Sequence, residues 1–184
     1  MTGKSVFGIS LSTAVIVVAV AVDAIAGLTA IGTGTVEFEA VGPAGMKIDG
    51  VSNGVTAAES AGQITITSPT TEFHTGIGLR DRHLKEYLES EKHPSAQLVI
   101  DRTKIALPQS SAPVASTLTA PLTLHGVTKP VTVAYRIVQD GSAYKVHGDV
   151  AFDLQDFEIK KPCYLGVCVG DHVKVKADFS VHAN

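Results

Sequence analysis

A chain of 184 residues, 45% hydrophobic and 18% charged, has enough apolar material for one well-cored domain and too little for two. Its formal net charge of -3, with Lys and Arg adjacent only at Lys160-Lys161, excludes a basic nucleic-acid footprint and a polybasic membrane or heparin patch.

The N-terminus reads as an export signal. Lys4 and an apolar run from Leu11 to Val22 precede Ala24-Ile25-Ala26, a small-x-small pattern of the kind signal peptidase cuts. The run is short for a membrane span of ~20 residues, and no basic stop-transfer flank follows it. Residues 1–26 are therefore expected to be a signal peptide. Residues 27–184 form the mature domain, periplasmic or secreted, without stable membrane insertion.

Beyond the signal, apolar and polar residues alternate with a period of two. Val36, Phe38 and Ala40 share one face, as do Ile64 and Ile66, then Leu118, Ala120, Leu122 and Leu124. Val131, Val133, Tyr135 and Ile137 follow; then Tyr144, Val146, Gly148, Val150, Phe152 and Leu154; then Val173, Val175, Ala177, Phe179 and Val181. One dry and one wet face per strand is the mark of antiparallel sheet. Gly42-Pro43, Asp49-Gly50, Asn53-Gly54 and Asp140-Gly141 read as turns, the last as a tight hairpin. With weaker runs at Met46–Ile48, Leu98–Ile100 and Ile105–Leu107, about eight strands result. That number suits an all-β, eight-stranded antiparallel barrel, which has no exposed edges.

One segment departs from this pattern. Leu79 to Glu91 is rich in helix formers, carries Leu84 and Leu88 four apart, and is stopped by His93-Pro94. It predicts one short helix near a barrel mouth. Farther on, Cys163 and Cys168 are separated by four residues, a spacing at which a turn brings two sulfurs together. The pair is not Cys-x-x-Cys, and a zinc site with His172 lacks a fourth nearby ligand. A local structural disulfide is the expectation.

Candidate chemistry is sparse. His74 and His83 flank the helix start, while His147 and His182 fall on wet strand faces; none belongs to an HExxH, close His-x-His or paired-carboxylate pattern. No Gly-x-Ser-x-Gly elbow exists, and Gly32-Thr33-Gly34 precedes a strand rather than a phosphate-cradling helix. The residues supply no catalytic set, no metal site and no cofactor motif, so an enzyme is not expected.

Several motifs resemble the YceI-like family of periplasmic polyisoprenoid-binding proteins. Thr75-Gly76, Arg80-Asp81-Arg82-His83-Leu84 and Glu91-Lys92-His93-Pro94 are similar to its "TG…RDxHL…ekyP" core. Leu122-Thr123-Leu124-His125-Gly126-Val127-Thr128-Lys129-Pro130-Val131 is similar to its "LTlhGvTkpv" hairpin, and Gly170-Asp171-His172-Val173 to its closing strand. Phe152 to Ile159 lacks the Arg and Gly of the corresponding family stretch. The likeness runs from about Gly34 to the C-terminus. It implies a lipocalin-like barrel whose tunnel holds an isoprenoid-tailed amphiphile, and so makes residues 27–184 a YceI-like lipid-binding domain.

On that reading Phe38, Leu122, Leu124 and Tyr135 line the tunnel with Val150, Phe152 and Phe179. The helix closes or gates one end. Asp81 caps the helix; Arg80 either pairs with a carboxylate or meets the lipid head, to which Tyr135 also offers its hydroxyl. His125 ties its hairpin to a neighbouring strand. A lipid or quinone is then the only small molecule expected, and a homodimer is compatible with the sequence. Burying each CH₂ is worth about 0.8 kcal/mol, so each isoprene unit offers roughly 3–4 kcal/mol before ordering costs. Small inward residues (Ala40, Ala120, Gly148, Ala177) are compatible with an open interior; composition alone does not separate it from a filled one, and the resemblance is what implies the tunnel. The alternative is an envelope interaction module whose barrel is filled by its own side chains.

Overall fold

Strands with one dry face bury it most completely when a single sheet curls onto itself. The computed structural model, which describes residues 27–164 and 167–183, has this form. Its strands are β1 (Leu28–Ala30), β2 (Gly34–Val41), β3 (Lys47–Ser60), β4 (Gln63–Pro69), β5 (Ser95–Asp101), β6 (Val114–Leu124), β7 (Val127–Asp140), β8 (Ala143–Asp153), β9 (Cys163–Tyr164), β10 (Val167–Cys168) and β11 (His172–Ala183). Each of β2 to β7 pairs antiparallel with its successor, and β11 closes the ring against β8 and β2. The result is an eight-stranded closed barrel. β1 lies along the β2 seam, pairing with the end of β11 and, at Thr29, with β3. The expected signal peptide falls outside the described residues.

Register carries the dry face around the ring. Val175 stands opposite Phe38 on one side and Val150 on the other; Val150 faces Val133, and Val133 faces Leu118. Two-residue turns join β3 to β4 at Ala61-Gly62 and β6 to β7 at His125-Gly126, all four residues at positive φ. That twist matches the strands they connect. The Asp140-Gly141 hairpin forms as expected between β7 and β8.

Three expectations are corrected. Asp49-Gly50 and Asn53-Gly54 are not turns but lie inside β3. Gly50 is where the Phe38 ring crosses, Gly54 is where Glu72 and Pro69 press on the strand, and the β2–β3 register slips beside Asn53-Gly54. A strand glycine marks a bulge or a close approach as often as a turn. Ile105–Leu107 is not a strand; it follows the 3-10 turn Arg102–Lys104 and crosses the barrel end. Arg102 holds it there, donating to the Ile105 carbonyl at 2.9 Å and pairing with the buried Glu59 carboxylate at 3.5 Å. The helix, α1 (Gly78–Tyr87), is shorter than expected because Glu89 turns left-handed, at φ 46°, before Pro94 is reached.

Cys163 and Cys168 are disulfide-bonded and stand opposite each other across β9 and β10. This hairpin hangs at the end of the barrel where α1 lies. There Gly170 N–H donates to the Val41 carbonyl at 2.7 Å.

Candidate functional site

The barrel is not filled. A cavity of about 300 Å³ lies at the α1 end and another of about 100 Å³ at the opposite end. Ile66, Leu98, Val150, Val175 and Ala177 belong to the walls of both, forming a waist between them. Small side chains leave the room: Ala40 and Ala177 line the larger cavity and Gly148 the smaller, whereas Ala120 is packed into the core.

Both cavities have largely apolar surfaces, but different side chains border them. The surface of the smaller cavity is apolar throughout. Ile105 and Leu107 border it, and the Tyr135 hydroxyl accepts a hydrogen bond from Ala106 N–H at 3.4 Å. In the larger cavity α1 and its C-cap present Arg80, His83, Leu84, Tyr87 and then Leu88, spaced i, i+3, i+4, i+7 and i+8 on one helical face. Ser68 and Thr75 add hydroxyls to the same wall.

The helix is a fixed wall. Asp81 does not cap it; its Oδ1 turns back to accept from both the backbone N–H and the hydroxyl of Thr75, at 2.6 Å each. These two bonds hold its carboxyl below the usual carboxylate range. The same loop is stitched to β3 by reciprocal Val51–His74 backbone bonds of 2.9 and 3.0 Å. Past the other end of α1, buried Thr70 donates to the His93 carbonyl at 2.6 Å and Ser90 donates to the Thr70 carbonyl at 3.3 Å. His93 stacks edge-on to His125, with ring centroids 5.5 Å apart. His125 Nδ1 lies 3.0 Å from the Phe157 carbonyl, so it ties its hairpin to the turn after β8 and not to a strand.

Every residue expected to line a tunnel borders one of the two cavities. Phe38, Leu122, Leu124, Phe152 and Arg80 line the larger, Tyr135 and Phe179 the smaller, and Val150 both. Arg80 and Tyr135 are therefore at opposite ends and cannot meet one head group. Arg80 has no carboxylate partner among the described residues. Sequence reasoning missed Ser68, Phe73 and Tyr87. Ser68 was within reach, since it continues the Ile64, Ile66 alternation onto the dry face. Among the described residues no group of three or more His, Cys, Asp or Glu is arranged to hold a metal ion.

A family model described as YceI-like domain matches residues 17–181. This chain belongs to the YceI-like family. Its relatives include a UPF0312 protein of Pseudomonas savastanoi pv. phaseolicola, 30% identical over 122 residues covering 62% of this chain and 61% of that protein. A UPF0312 protein of Pseudomonas aeruginosa is 32% identical over 109 residues, covering 55% and 54%. The YceI-like chain thus spans about six-tenths of the length of the curated relatives it matches. Among solved structures, a polyisoprenoid binding domain from Saccharophagus degradans, implicated in plant cell wall breakdown, superposes with a TM-score of 0.71 at 14% identity, covering 85% of this chain and 98% of that one. Burkholderia cenocepacia BcnA gives 0.63 at 15% identity, covering 80% and 95%. At such identities the YceI-like fold is what is shared. No described helix is long and apolar enough to cross a membrane.

Proposed function

We propose that the barrel binds an isoprenoid-tailed amphiphilic lipid, a quinone or a polyprenyl precursor, and sequesters or carries it in the periplasm once the signal peptide is removed. The tail threads the waist into the apolar far cavity, and the head lies beneath α1. The observation carrying this reading is the uneven interior: two cavities share a waist, and polar side chains are more numerous at the α1 end, where Arg80, His83, Tyr87, Ser68 and Thr75 border the wall, than at the far end, where Tyr135 and Asp149 do. The Saccharophagus domain that shares this fold is a polyisoprenoid binding domain, which supports the same ligand class. A packed interior, which a pure interaction module would have, is not what this barrel contains.

Such binding needs no catalytic group. Several isoprene units at roughly 3–4 kcal/mol each already approach the ceiling of noncovalent affinity. The test is organic extraction of purified protein followed by mass spectrometry. Wild-type protein should release an isoprenoid, and Ala177→Phe, which plugs the waist, should stay folded and release much less. Wild-type protein that is empty from several hosts and takes up no added geranylgeraniol would overturn the proposal.

A further inference from the structure

Two of the four buried serine and threonine hydroxyls among the described residues have partners. Thr70 and Ser90 do, through the bonds to the His93 and Thr70 carbonyls. Ser68 does not. It is 8% exposed, its Oγ has no hydrogen-bond partner, and it lines the cavity wall. A buried hydroxyl left unpaired is costly, because water's hydrogen bonds are removed and nothing replaces them. The position does not demand serine: β4 turns Ile64, Ile66 and Ser68 to the same dry face, and Ala96 stands opposite on β5. An apolar residue would suit that layer.

Arg80, His83 and Tyr87 stand on α1 around the same cavity, and none makes a hydrogen bond or ion pair with the described residues. Each is able to donate, as Ser68 is, and no carboxylate lines the cavity. Side chains able to donate thus border a largely apolar wall, and acidic acceptors do not. We infer that Ser68 Oγ donates a hydrogen bond to an acceptor oxygen on the head of the bound isoprenoid, and thereby distinguishes an oxygen-headed isoprenoid from a bare hydrocarbon. A carbonyl and a phosphoryl oxygen share this chemistry. The inference rests on the lipid-binding reading above and adds the recognition element to it. Discrimination follows because a hydrocarbon leaves the hydroxyl unpaired, whereas an oxygen satisfies it.

The experiment compares wild type, Ser68→Ala and Ser52→Ala for binding of a short-tailed ubiquinone, geranylgeranyl diphosphate and squalene. Ser52 is the control: its hydroxyl is equally buried and unpartnered but lies outside the cavity wall. Ser68→Ala should weaken whichever oxygen-headed probe the wild type takes by about fivefold to tenfold, with squalene unchanged or tighter. Ser52→Ala should change none of them. Empty Ser68→Ala should unfold no earlier than wild type, since it loses no partner. Loss on the quinone identifies a carbonyl, loss on the diphosphate a phosphoryl group. The inference is overturned if Ser68→Ala weakens all three probes alike or none, if Ser52→Ala reproduces its effect, or if the empty variant is destabilised. Wild type that takes squalene but neither oxygen-headed probe sinks the inference and leaves the lipid reading standing; wild type that takes none sinks both.

Discussion

The Phe38 ring occupies the space that a side chain on Gly50 would need, directly across the β2–β3 pairing. It also meets Phe73 edge-on, with ring centroids 5.5 Å apart. The cavity wall at this corner therefore depends on a missing Cβ. Gly50→Ala should cost about 1–3 kcal/mol, as overpacking does. In a Phe38→Leu background the same substitution should cost less, because the ring that it strikes is gone. Urea denaturation of the four proteins in the cycle measures both; equal costs in the two backgrounds would refute the contact.

Phe157 stands behind Phe152, which lines the larger cavity. It is 0% exposed and packs edge-on against Phe152, with ring centroids 5.0 Å apart. Phe157→Ala should cost about 3–5 kcal/mol. His125 bonds to the Phe157 carbonyl rather than to its side chain, so His125→Ala should cost less than Phe157→Ala. Chemical denaturation distinguishes them.

His147 sits on the outer wall with Nδ1 2.8 Å from Asp178 and Nε2 3.1 Å from Asp149. The hydrogen bond to Asp178 raises its pKa above 6.5. A raised pKa means that the folded state holds the proton more tightly. The stabilisation is thus fully present below pH 6.5 and is lost as pH rises through the folded value. As an exposed pair it is worth about 0.2–1 kcal/mol. His147→Gln should accordingly be less stable than wild type at pH 6 and indistinguishable from it at pH 9. Denaturation at the two pH values, with an NMR titration of the imidazole, checks the sign.

Pro162 and Val169 line the larger cavity and are joined by a 2.9 Å backbone bond at the base of the disulfide hairpin. Replacing both cysteines by serine should remove about 2 kcal/mol at most, because so short a loop constrains little of the unfolded chain. The barrel should remain folded. A bound isoprenoid should leave faster, since this side of the mouth loses its clamp. Stopped-flow release of a fluorescent isoprenoid measures the change; an unaltered off-rate would separate the hairpin from the site.

Alternation made the barrel legible because each dry face must point inward once the sheet closes. The inward direction of the residues that border the two cavities followed from the same periodicity, with Phe38, Val150 and Phe179 inward by register alone. What eluded sequence reading depends on contacts between distant segments. Gly50 and Gly54 look like turns until Phe38, Glu72 and Pro69 are seen pressing on them. Ile105–Leu107 alternates like a strand, yet Arg102 and buried Glu59 turn it across the barrel end. Asp81 stands where a helix cap is expected, but Thr75 offers it two donors and takes it. Ser68 was readable as polar on a dry face; that it lacked a partner was not.

In the proposed complex the lipid lies lengthwise, head under α1 and tail past the waist. A geranylgeranyl probe with a diazirine at the tail terminus tests this directly, by photolysis and peptide mass spectrometry of the adducts. The predicted adducts fall on Leu107, Tyr135 and Ile137 at the far end, with none on Arg80 or Tyr87. Adducts confined to the α1 end, or spread over the outer wall, would contradict it.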